Sequence, residues 1–104
     1  SNEGTIQAAL ENFTVTYKTF QGIVLEAGNE GPDEKDLPAL VSGMVSHMGT
    51  ARALPGGNCL VLVNENIDRE LLAHRLAKNT ETGVLLQFSA DNVSGALKEL
   101  KPYL

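Results

Sequence analysis

The strongest constraint on the fold lies at residues 59–63. There Cys-Leu-Val-Leu-Val forms five consecutive apolar side chains, enclosed by Pro55-Gly56-Gly57-Asn58 and by Asn64-Glu65-Asn66. Successive side chains of a strand point to opposite faces, so an uninterrupted apolar run must be covered on both. Residues 83–88, Gly-Val-Leu-Leu-Gln-Phe, read the same way. Two such strands exclude a sheet with one wet face and call for helices above and below it.

Helical spacing supplies those helices. Asp36 is placed to cap a helix over residues 37–54, with Leu37, Leu40, Val41, Met44, Met48 and Ala51 along one apolar stripe and Pro38 in the first turn. Asn66 or Asp68 caps the next, residues 67–78, with Leu71, Leu72 and Leu76 inward. Asp91 caps the last, where Val93, Ala96, Leu97 and Leu100 repeat and Pro102 ends the pattern. Residues 13–27 read as strand on the β-branched and aromatic run Thr14-Val15-Thr16-Tyr17, either as one long strand or as a hairpin turning at Gln21-Gly22. Residues 5–12 are a short helix, and Ser1-Asn2 reads as the remnant of a cleaved tag. Residues 28–36 form an acidic loop. The resulting order, β-α-β-α-β-α after a short N-terminal segment, predicts an α/β fold with a small, mostly parallel sheet of three to four strands.

With 104 residues, the chain is the size of one domain (residues 1–104) that needs no disulfide framework, and it has a single cysteine. Its 13 acidic against 8 basic residues, a net charge of −5, speak against nucleic acid, whose affinity rests on Lys and Arg at phosphates. No apolar run approaches the roughly 18 residues of a membrane span. The expected setting is the cytoplasm.

Few residues point to chemistry. Gly28 and Gly31 follow a strand, as phosphate-binding glycines do, but Glu30, Asp33, Glu34 and Asp36 beside them would repel a phosphate. Gly56-Gly57 precedes its strand and reads as a turn. Cys59 opens a buried strand and reads as core rather than as a nucleophile. His47 borders the apolar stripe of its helix and reads as partly buried; His74 reads as a solvated surface residue. Ser46 and His47 are adjacent, hence about 100° apart on a helix, which separates a nucleophile from its base. No cofactor is implied. In a parallel sheet, the carboxyl ends of the strands would gather Asn64, Glu65, Asp68, Ser89 and Asp91 on one rim with the acidic loop. Glu65, Asp68 and Asp91 are thereby the candidate metal ligands of an alternative function, a metal-dependent or phosphoacceptor domain that resembles receiver domains in architecture alone.

The feature that stands out is the lack of charge between Leu37 and Ala51. Away from the apolar stripe that helix would present Ala39, Ser42, Gly43, Ser46, Gly49, Thr50 and Ala53, where a solvent-facing helix normally carries Lys, Glu and Arg. Small side chains permit close approach, so these seven are the candidate interface. The leading expectation is a non-enzymatic regulatory or protein-interaction domain that pairs with itself as a homodimer, or with another protein. A further alternative is a terminal domain excised from a longer protein, docked on its neighbour through the same face.

Overall fold

The computed structural model describes residues 2–28, 31–33 and 36–104. Their order is α1 (Asn2–Thr16), β1 (Phe20–Glu26), α2 (Leu37–Met44), β2 (Gly49–Ala53), β3 (Cys59–Asn64), α3 (Arg69–Thr80), β4 (Gly83–Ala90) and α4 (Val93–Leu100). Short 3-10 turns occupy Pro55–Gly57 and Lys101–Tyr103. The four strands form one sheet in the order β2-β3-β1-β4. Every neighbouring pair is antiparallel. The fold is α/β, as expected, but the mostly parallel sheet is overturned.

The topology follows from the pairing. β1 and β2 both oppose β3, so they run in the same direction with β3 between them, and α2 makes the crossover. β3 and β4 likewise run together on either side of β1, joined by α3. Two interlocked split β-α-β units of this kind make the arrangement of ferredoxin-like domains. Here helices at both ends of the chain add a third layer.

Both faces of the sheet are covered. On one, Leu37 and Val41 of α2 and Ala73 and Leu76 of α3 pack on Ile23, Leu25, Val61 and Val63. On the other, Ile6, Leu10 and Phe13 of α1 and Ala96 and Leu100 of α4 pack on Phe20, Val24, Leu60, Leu62 and Phe88. This is why residues 59–63 carry no polar side chain. Two-sided burial demands cover on both faces and says nothing of strand direction.

Three local expectations change. Residues 13–16 belong to α1, not to a strand: Phe13 falls in register with Ile6 and Leu10 and is buried, while Val15 is 80% exposed. Burial of one helical stripe outweighs the weak β preference of Thr14, Val15 and Thr16. The predicted helix over 37–54 stops at Met44, and residues 49–53 become β2. Gly49 sits where a Cβ would fall onto the Leu62 carbonyl, so a strand can lie this close to β3 only with glycine there. Gly22 is no hairpin turn. It lies inside β1 opposite Phe88, whose ring occupies the space of the missing side chain. Its neighbour Gln21 is buried and ties β1 to the loop before α3, donating through Nε2 to Ile67 O at 2.7 Å and to Asn64 O at 3.1 Å.

Gly56-Gly57 is a turn, as read. Both glycines have positive φ, 69° and 79°, and they reverse the chain between β2 and β3. Of the loop at residues 28–36, the expectations for Glu30 and Glu34 lie outside the described residues. The helix caps differ in part from expectation. Asp68 caps α3 by accepting from the Leu71 N–H at 3.1 Å. Asp36 stands at the start of α2 but makes no side-chain cap. The cap of α4 is Asn92, which accepts from the Gly95 N–H at 2.7 Å, while Asp91 instead accepts from the Asn92 side chain. Asp68→Ala and Asn92→Ala should therefore each cost about 1 kcal/mol, and Asp91→Ala clearly less, in parallel urea melts.

Candidate functional site

The predicted interface residues do not share one helix but are divided between a helix, a turn and a strand. Ala39, Ser42 and Gly43 lie on α2, Ser46 in the turn after it, and Gly49, Thr50 and Ala53 on β2. Ala39, Gly43, Ser46 and Ala53 are exposed; Ser42, Gly49 and Thr50 are half-buried. Since α2 packs on β2, the seven mark one flank of the domain, ending in an edge strand.

The sheet has two edges, and they are differently guarded. β2 is five residues long and carries Arg52 one residue from its end. Short length and a charged side chain are usual protections of an edge against pairing with another chain. β4, at the opposite edge, is eight residues long, Gly-Val-Leu-Leu-Gln-Phe-Ser-Ala, with neither charge nor proline. Val84 on it is 39% exposed. A bulge guards only its start: the register shifts so that Leu85 has no partner on β1. The Tyr103 hydroxyl lies 3.4 Å from the Leu85 carbonyl. Beyond the bulge, residues 86–90 pair regularly with β1 on their inner side. Gln87 and Ser89 are anchored from α3 by Arg69, whose Nε donates to Gln87 Oε1 at 3.3 Å and whose Nη1 donates to Ser89 Oγ at 2.9 Å. The strand itself carries no charge, and the one cation held along it is the Arg69 guanidinium on the side chains of Gln87 and Ser89. Sequence reading took residues 83–88 for an inner strand, and nothing in their apolar run distinguishes an edge from a centre.

The candidate metal residues do not converge. Asn64 and Ala90 both pair with Phe20, so Glu65, Asp68 and Asp91 lie beyond the same end of the sheet. The loop after β1 leaves from the other end, where Gly31 lies against the Thr80 and Glu81 carbonyls. Among the described residues no group of three or more His, Cys, Asp or Glu side chains comes close enough to hold a metal ion. His74 is exposed, as expected; His47 is exposed rather than partly buried, since it lies in the turn after α2 and not on the helix.

Cys59 is buried in the core between the sheet and α2–α3. Burial pushes its thiol up to about 12, from 9.0. The folded chain thus holds this proton where the unfolded chain has lost it, and stability from this source is intact below pH 9 and falls as pH rises from 9 towards 12. Iodoacetamide at pH 8 should leave the native protein unmodified and label it fully in denaturant, a contrast that mass spectrometry reads directly.

A small polar cleft of about 220 Å³ opens between α1 and β2. It is lined by Thr50 and Arg52 of β2, Asn12 and Thr16 of α1, Tyr17 just after α1, and Ser46 and His47 of the turn after α2. The Phe13 and Tyr17 rings, 4.8 Å apart, hold that wall against the core. The spacing of Thr50 and Arg52 on one strand face was visible only once residues 49–53 were known to be strand.

Compared with family models, curated proteins and solved structures, the chain gives no match. Among the described residues no helix is long and apolar enough to cross a membrane.

Proposed function

We propose that this domain is a non-enzymatic interaction module that self-associates by pairing β4 with β4 of a second copy. The observation that carries this reading is the eight-residue edge strand without charge or proline. An edge strand presents a row of unpaired N–H and C=O groups, which another strand satisfies at no cost in desolvated charge. The occupant is a second copy because an antiparallel pair of identical strands closes on a two-fold axis and uses the same patch twice. The net charge of −5 would set two copies against each other on most approaches. Along residues 86–90 no side chain of the strand itself is charged, and each Val84 lies at one end of the paired stretch. Homodimerisation would join two four-stranded sheets into one of eight.

The α2–β2 flank is the second reading, favoured by its seven small residues. Sedimentation equilibrium separates the two. Val84→Lys should dissociate the assembly and Ser46→Arg should leave it intact; the reverse pattern would move the interface to the α2–β2 flank.

A further inference from the structure

We infer that the cleft between α1 and β2 is a binding site for a small oxyanion, a carboxylate or a phosphate, with Arg52 as its anchor. The guanidinium is held in a set orientation. Its Nη1 donates to Thr50 Oγ1 at 2.6 Å and to the Ala51 carbonyl at 2.8 Å, which engages both hydrogens of that nitrogen. The Nε and Nη2 hydrogens remain. They form the side of the guanidinium that grips a carboxylate or phosphate through two parallel hydrogen bonds, and among the described residues nothing occupies them. An arginine fixed by its own strand has little freedom left to lose on binding.

The surroundings match an anion. Among the described residues no carboxylate side chain lines the cleft. The lining offers hydroxyls from Thr16, Tyr17, Ser46 and Thr50, the Asn12 amide and the His47 imidazole. All of these can donate to an oxyanion. A second depression shares Thr16 and Tyr17 and adds Lys18 and Glu65, so Glu65 lines that depression and not the cleft. A volume of about 220 Å³ admits the anionic group with a small attached body. The site is independent of the proposed self-association, since β2 and β4 are opposite edges of the sheet.

Amide and side-chain NMR titration of the whole chain tests this, with inorganic phosphate and acetate as separate probes and sodium chloride as the ionic-strength control. The expected result is a saturable shift at Thr50, Arg52, His47 and Tyr17 with at least one probe; whichever binds more tightly identifies the anion. Arg52→Lys keeps the charge but loses the two-pronged grip, so affinity should fall roughly tenfold. Thr50→Val, which frees the guanidinium, should also weaken binding. The same titration of Val84→Lys should be unchanged, which keeps failure of the dimer separate from failure of the site. Shifts that chloride reproduces, or equal affinity in wild type and Arg52→Lys, would overturn the inference.

Discussion

Alanine at Gly49 is expected to cost about 3 kcal/mol, a large share of the roughly 5–15 kcal/mol that holds a domain of this size together. The added Cβ would meet the Leu62 carbonyl, part of the backbone of the strand beside it. Trimming a side chain cannot relieve that collision; β2 would have to lift from β3 and break its ladder from Gly49 to Ala53. Gly22→Ala is the instructive comparison. There the obstacle is the Phe88 ring, a side chain. Phe88→Ala alone should cost about 3 kcal/mol through its cavity. Together with Gly22→Ala it should cost less than the sum of the two, with a favourable coupling of about 1 kcal/mol or more in urea melts. No partner substitution at position 62 should rescue Gly49→Ala, because the obstacle is main chain. Additive costs for Gly22 and Phe88 would mean that the ring does not fill the glycine's space.

Gly49 also shows why part of the fold could not be read from the chain. The run from Met44 through Met48 to Ala51 continues the helical spacing of Leu37 and Val41, and small residues offer no β-branched signal against it. The cue lay in Gly49, which disfavours a helix by up to about 1 kcal/mol and, with Arg52 flanked by alanines, marks a short edge strand; Gly43 stays within α2. Missing β2 removed one reversal of direction, and a parallel sheet followed. The two-sided burial of Cys59, Leu60, Val61, Leu62 and Val63 was legible, because a run without a polar member allows no other arrangement. So were Asp68 as a cap, the Gly56-Gly57 turn and the buried thiol, each of which depends on residues close in sequence. Residues 13–16 were not legible, since the contact of Phe13 with Phe20 and the sheet is tertiary and outweighs local propensity. Nor was the cleft, whose walls come from residues about forty positions apart.

The second large effect concerns self-association. Val84 is 39% exposed in the single domain, so Val84→Lys should change its folding stability by no more than about 0.5 kcal/mol. In an antiparallel pairing over residues 86–90 the same change puts an unpaired charge at each end of the interface. The dimer should weaken at least tenfold, about 1.4 kcal/mol or more. A variant that melts like wild type yet fails to assemble would locate the contact on β4. Ser46→Arg, on the opposite flank, should alter neither the melt nor the assembly by a comparable amount.

Sedimentation equilibrium over a wide concentration range, with amide exchange followed in the same samples, is the most direct measurement. Each chain weighs 11.1 kDa. The expected result is a weight-average mass rising towards twice that value, with the amides of residues 86–90 that are not bonded to β1 becoming protected as it rises. A mass that stays at 11.1 kDa at every concentration, or a dimer in which residues 86–90 exchange as fast as in the monomer, would contradict self-association through β4.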